Sequence, residues 1–221
     1  RYRAVIRFGA VTTTQDASGE VLETHPVEVG SDEILRQLKL FVGAIRQIPP
    51  MVSAVRVGGE RLHAKARRGE EVERSPRDVT IYELEPISLT MGDPTELEVD
   101  VLCSSGTYIR TLAHDLGRSL GCGAHLRSLR RTKAGGFSTD DAIGLDEISA
   151  ELLCPLRTVV GHLPVTEVDD TDAAFVHNGR PLAAPDDIAD GELTALVHDG
   201  ELLAVYKRVG ERIVAERVVP R

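Results

Sequence analysis

The sequence predicts an α+β fold: a mixed, mainly antiparallel sheet flanked by helices, followed by a small β-rich domain. Three observations predict it. Apolar and polar residues alternate over Tyr2–Phe8 and Glu96–Cys103, the period of a strand with one buried face. Apolar residues recur at helical spacing over 31–47 and 109–120. The last 60 residues carry short apolar runs broken by turn signals, with Asp199-Gly200 marking a hairpin.

Taken in order, Tyr2, Ala4, Ile6 and Phe8 make one face of the first strand, with Arg3, Val5 and Arg7 on the other. TTTQDASGE (12–20) is turn chemistry, and Asp16 reads as the residue that caps it. Residues 31–47 are expected to be one helix. Ser31 can cap it, Asp32 and Glu33 suit its positive end, and Ile34, Leu38, Phe41 and Ile45 share a stripe. Pro49 and Pro50 stop it. Residues 51–77 carry seven Lys or Arg and four Glu and read as a surface insertion, helical over Glu60–Arg68. Strands follow at 78–90 and 96–103. The helix around Arg110 buries Ile109, Leu112, Ala113, Leu116 and Leu120, and Gly121 and Gly123 end it. Residues 145–157 read as a last helix, and the remainder as a meander.

The chain has 221 residues, 42% of them hydrophobic but only 4% aromatic, with no Trp, so its core rests on Val, Ile, Leu and Ala. Three separated cysteines, Cys103, Cys122 and Cys154, have neither a C-x-x-C pair nor zinc spacing, which suits reduced thiols in a cytoplasmic protein. No run is long and apolar enough to span a membrane. Charge is uneven. Residues 1–133 carry 19 Lys and Arg against 18 Asp and Glu, while residues 134–221 carry 7 against 17, for a net −9. Such a break marks a domain boundary, and the total acidity argues against nonspecific coating of nucleic acid. Walker, dinucleotide-binding and H-E-x-x-H motifs are all missing, and no histidine spacing suits a metal, so neither metal nor cofactor is expected.

The chemistry concentrates in CSSGTYIRTLAHDLGRSLGCGAHLRSLRRTKAG (103–135). Tyr108 and Arg110 follow a strand and a tight turn, where period two places them on one side. A tyrosine and an arginine so placed suit stacking on a base and pairing with an anion. Arg127, Arg130, Arg131 and Lys133 suit a phosphate backbone. On spacing alone, a core tyrosine followed by a basic helix end on the surface explains the residues equally well.

The same stretch strongly resembles the bacterial tRNA pseudouridine synthases that isomerise uridine 55 of the T-loop, the TruB family. RYRAVIRFGAVTTTQDASGEV (1–21) resembles that family's strand and T-x-T-x-D-x-x-G segment. QIPPMVSAVRVGGERLHAKARRGEEVERSPRDVTIYEL (47–84) resembles its surface insertion, and FSTDDAIGLDEI (137–148) the stretch that follows the basic block. The resemblance implies a pseudouridine-synthase sheet over 1–153, with 51–77 as an RNA-binding insertion. It also implies a PUA-like domain over 162–221, though more loosely and with unusual acidity. Carried over by position, Tyr2 stacks beside the target uracil. Tyr108 contacts the flipped base and is a candidate for handling the C5 proton. Arg110 pairs with the catalytic aspartate, Leu129 lines the substrate pocket, and Arg67, Arg130 and Arg131 meet phosphates. Arg56 and His63 stand where Lys and Tyr are commoner in the family. The implied partner is the T-arm stem-loop of tRNA, bound by a monomer without cofactor.

One implied residue is missing. The family's nucleophilic aspartate lies in a G-x-L-D-P stretch ahead of the strand that opens this chain, and these 221 residues contain no such stretch. Asp16 matches a turn aspartate instead and does not take that place. The expectation is an enzyme whose preceding segment supplies the nucleophile, with the 221 residues alone inactive. The alternative is a tRNA-binding or tRNA-folding module on the same fold.

Overall fold

The computed structural model describes residues 1–53, 56–57, 60–61, 68 and 72–220. They form two compact units, Arg1–Thr132 and Lys133–Arg221. The sequence reading ends the catalytic unit at 153 and begins the β-rich one at 162.

The first unit is built on β1 (Tyr2–Phe8), β2 (Ala10–Thr12), β3 (Val21–Thr24), β4 (Gly43–Gln47), β5 (Arg56–Val57), β6 (Glu60–Arg61), β7 (Arg77–Thr90), β8 (Glu96–Cys103) and β9 (Ala124–Arg131). Five of these make one sheet in the order β4-β7-β8-β1-β9, with every neighbouring pair antiparallel. The helices Ser31–Lys39 and Ile109–Ser119 cover it. The alternation in β1 and β8 buries Ala4, Ile6, Phe8, Leu97, Val99 and Val101 against Ile34, Leu38, Ile109, Leu112 and Leu116. Each of these side chains larger than alanine contributes about 1.5–3 kcal/mol on burial. The later helix lies very close to β9. A Cβ added at Gly117 would fall 2.2 Å from the Ala124 nitrogen, so only glycine permits this approach.

The expected helix over 31–47 is corrected. It ends at Lys39, and Gly43–Gln47 is an edge strand paired with β7. Gly43, at φ +101°, turns the chain, and Phe41 and Ile45 reach the core from a turn and a strand. Nor is Ser31 the cap: Gly30 takes that position without a side-chain bond. Glu60–Arg61 is not helical but pairs with Arg56–Val57. The basic residues 127, 130 and 131 lie on strand β9, not on a helix end.

In the second unit, β10 (Lys133–Ala134) and β11 (Phe137–Ser138) form a hairpin. Leu145–Glu147 and Ala150–Leu152 are single 3₁₀ turns, and Leu156–Val159 is a one-turn helix, in place of the expected helix over 145–157. Helices depend on burying an apolar face, and here Leu145 and Leu153 are 87% and 74% exposed. Beyond them, β12 (Val165–Glu167), β13 (Leu182–Ala183), β14 (Leu193–His198), β15 (Glu201–Val209) and β16 (Arg212–Val218) form a sheet in the order β12-β14-β15-β16-β13. It is antiparallel except where β12 meets β14. The Asp199-Gly200 turn joins β14 to β15 as the sequence predicts. Helix Asp170–Val176 closes this core through Ala173 and Val176, packed with Leu196, Tyr206 and Ile213. The α+β class, with mainly antiparallel sheets, is the architecture of the chain.

Candidate active site

β8 ends at Cys103, and the next loop is tied back to β7. Ser104 N–H donates to the Thr80 carbonyl at 2.8 Å, and Ser104 Oγ accepts from Thr80 N–H at 3.0 Å. Tyr108 leaves this loop in an extended conformation as the N-cap of helix Ile109–Ser119. Arg110 therefore sits in the first helical turn, and helix geometry rather than strand period two relates the two residues. Buried Gln47 holds both backbone groups of Tyr108: its Oε1 accepts from the N–H at 2.9 Å, and its Nε2 donates to the carbonyl at 3.2 Å.

Arg110 reaches back to the 12–20 turn. Its Nη1 donates to Asp16 Oδ2 at 3.0 Å and to the Thr14 carbonyl at 3.4 Å, and its Nη2 donates to the Val52 carbonyl at 2.7 Å. Asp16 also performs its turn role. Its Oδ1 accepts from Thr14 Oγ1 at 2.7 Å, Ser18 N–H at 3.0 Å and Ser18 Oγ at 2.5 Å. The turn is in turn stitched to β9, with Ala17 N–H donating to the Leu126 carbonyl and Leu126 N–H to that of Gln15. Partial burial pushes the Asp16 carboxyl upward. The bonds from Ser18 and Thr14, with the charge of Arg110, outweigh it and hold the group below the ordinary carboxylate range. Asp16 and Arg110 are each 23% exposed. Such a pair is worth more than the roughly 0.2–1 kcal/mol of a surface pair and less than the roughly 3–5 kcal/mol lost when a buried one is broken.

The pair opens into a cavity of about 330 Å³ lined by Asp16, Ser18, Arg110, Leu126, Arg127 and Leu129, with Ala17 and Ser128 completing the wall. β9 gains one residue against β1 here, since Val5 pairs with Ser128 while Ile6 pairs with Leu126. This bulge at Arg127 re-aims the strand, and Leu129, opposite the buried Ala4, is 45% exposed at the cavity. Tyr2 lies opposite Arg131, so it shares that face with Leu129. The Arg131 guanidinium carbon stands 5.3 Å from the Tyr2 ring centre, and its Nε donates to the Tyr2 hydroxyl at 3.2 Å.

The sequence-predicted residues thus divide. Arg110, Leu129 and Arg127 meet in one cavity, Tyr108 stands two residues before Arg110, and Tyr2 pairs with Arg131. Arg130, opposite Arg3, points to the other face of the sheet and has no carboxylate partner among the described residues. Arg127 donates from Nε to Glu96 at 2.8 Å, a carboxylate it shares with Arg7. Lys133 belongs to the second unit, and Arg67 and His63 lie outside the described residues. Sequence reasoning missed two contributors. It gave Asp16 the turn alone, although a turn tied to β9 can also present a carboxylate. It took Gln47 as the end of a helix; its place just ahead of Pro49-Pro50 was the available signal.

Among the described residues there is no group of three metal-ligating side chains, and no helix is long and apolar enough to cross a membrane. The profile described as the N-terminal domain of TruB family pseudouridylate synthases matches residues 1–109. That of the tRNA pseudouridylate synthase B C-terminal domain matches residues 110–163. Among curated relatives, tRNA pseudouridine synthase B of Aromatoleum aromaticum is 47% identical over 83% of this chain and 61% of its own length. That of Nitrosococcus oceani is 44% identical over 86% and 65%. That of Ectopseudomonas mendocina is 41% identical over the whole chain and 73% of its own length. The chain thus spans 61–65% of the first two relatives. A solved structure titled as a Cbf5-Nop10-Gar1 complex superposes with a TM-score of 0.70 at 28% identity, covering all of this chain and 66% of that one. Profiles and relatives agree: the chain belongs to the TruB family of pseudouridylate synthases.

Proposed function

We propose that this chain is the larger part of a tRNA pseudouridine synthase that isomerises uridine 55 in the T-loop. One observation carries the reading: Arg110 is anchored by Asp16 and Val52 at the cavity that Leu129 lines. A guanidinium has five N–H donors. Thr14, Asp16 and Val52 take three of them, and two remain to hold a second carboxylate ionised. That second carboxylate is the nucleophile, carried in a G-x-L-D-P stretch ahead of β1. Asp16 is read as the turn aspartate and not as the nucleophile, since Thr14 and Ser18 tie its carboxylate into the 12–20 turn.

In this reading the uridine leaves its stack and exposes its C1′–N1 bond. Tyr2 and Tyr108 hold the flipped base, at about 1–3 kcal/mol per stacked ring, and Leu129 supplies the apolar wall. The nucleophile attacks C6 of the base or C1′ of the sugar. The C1′–N1 bond breaks, the base turns, and a C1′–C5 bond forms; the carboxylate is released by elimination from C6, or is displaced from C1′ by C5. C5 loses its proton, with Tyr108 placed to handle it, and N1 gains one, so substrate and product are isomers. No metal or cofactor takes part. Arg130 and Arg131 meet phosphates, together with Arg67 and Lys133, and Arg127 joins them although Glu96 offsets part of its charge. Residues 162–221 are PUA-like, and the protein acts as a cytoplasmic monomer on the T-arm.

The alternative reading of these 221 residues taken alone is a module that binds or folds tRNA. T-arm RNA carrying tritium at C5 of its uridines tests both. The complete gene product is expected to release tritium from position 55, and no release would overturn the enzymatic reading. The 221-residue chain is expected to bind the RNA and release none. Release by that chain would refute the assignment of the nucleophile.

A further inference from the structure

We propose that Gln47 is a positioning residue that sets the orientation of Tyr108, and that it links the 51–77 insertion to the catalytic cavity. The inference rests on the reading of Tyr108 as the tyrosine that meets the base. Gln47 is 1% exposed, on the edge strand β4, and 61 residues away in sequence. Its carboxamide grips Tyr108 through both backbone groups, as a neighbouring strand residue would. Tyr108 is where such a grip matters. As N-cap its N–H lies outside the helical ladder, and no side chain caps this helix. Its carbonyl already accepts from Leu112 N–H at 3.1 Å, so the Gln47 bonds determine how the residue enters the helix.

The connection to the insertion is covalent and short. Five residues beyond Gln47, the Val52 carbonyl accepts from Arg110, and between them stand the buried Pro49 and Pro50. Arg74, at the other end of the insertion, donates to the Pro49 carbonyl at 2.9 Å. Residues 47–52 therefore hold Tyr108 by its backbone and Arg110 by its guanidinium, on a segment whose rotation is restricted by two prolines.

An apolar side chain of similar length would fill the same space without desolvating an amide, so the amide is used for its two bonds. Gln47→Met keeps the length and removes both. In the complete gene product it is expected to slow single-turnover isomerisation by about 10- to 100-fold, the scale of a small misplacement at a reacting centre, while RNA affinity changes by less than about twofold. Hydrogen exchange at the Tyr108 amide should quicken by about tenfold or more, confined to residues 104–112. Gln47→Glu supplies both bonds when protonated, but when ionised it faces the Tyr108 carbonyl with no proton to give. Its rate relative to the unaltered protein should therefore rise as pH falls, which loss of packing alone would not produce. Unchanged turnover and exchange in Gln47→Met would overturn the proposal. So would a loss confined to affinity, or faster exchange spread evenly over the unit with no pH-dependent recovery in Gln47→Glu. If the unaltered protein isomerises nothing, the enzymatic reading fails, and the exchange result alone decides whether Gln47 holds Tyr108.

Discussion

Helix Asp170–Val176 is capped by its own sequence. Asp169 accepts from Asp172 N–H at 2.8 Å, and Asp170 and Asp172 stand in the first turn, where the helix dipole favours them. Helix Ile109–Ser119 begins with none of this. Its cap residue is Tyr108, its first turn has no acid, and Arg110 opposes the dipole at a cost of about 0.3–1 kcal/mol. What the second helix lacks locally is supplied from a distance, by Gln47 to the Tyr108 backbone and by Asp16 and Val52 to Arg110. One helix start is held by its neighbours in sequence, and the other by distant parts of the chain.

Substitutions test this contrast. The largest effect is expected at Arg110. Arg110→Ala in the complete gene product should lower the isomerisation rate by about 10²–10³-fold, as removal of an oriented charge-stabilising donor does, with a much smaller change in RNA affinity. If affinity alone fell, the ion-pair role would be wrong. Asp16→Asn should come next, with turnover reduced about tenfold or more through a misplaced Arg110 and roughly 1–2 kcal/mol of stability lost, a figure already discounted for solvent screening. This loss has a definite pH dependence. The folded Asp16 carboxyl lies below its ordinary value of 3.8, so its contribution is present above that value and disappears as pH falls through the folded one. Urea melts across the acid range should show the two proteins converging in stability at low pH. A difference that grew toward acid would contradict the assignment. The smallest effect is expected at Asp169. Asp169→Ala should cost about 1 kcal/mol of stability in the second unit and leave the single-turnover rate unchanged. A change in rate would show that the acidic helix start also serves the reaction.

The two regions were also unequally legible in the sequence. The strands Tyr2–Phe8 and Glu96–Cys103, the stripe through Leu112 and Leu116, and the Asp199-Gly200 turn follow local patterns, because alternation and helical spacing reflect burial on one face. Residues 31–47 misled because Phe41 and Ile45 keep helical spacing while Gly43 turns the chain between them. Residues 145–157 misled because their apolar side chains, Leu145 and Leu153 among them, are not covered within the chain. At the site, residue types were informative and partners were not. Arg110 implied a carboxylate, but the pattern around Asp16 is fully accounted for by a turn.

By itself the sequence determined the α+β class, the charge break near residue 133 and the interest of Tyr108 and Arg110, which depend on near neighbours and composition; Tyr2 and Leu129 stood out only through the family resemblance over 1–150. Only the tertiary structure decided that Asp16 has a second bond to make, that a bulge at Arg127 opens Leu129 to the cavity, and that Gln47 holds a backbone 61 residues away. These depend on which strand lies beside which, and no short-range pattern records the partner that a buried polar group meets across a sheet.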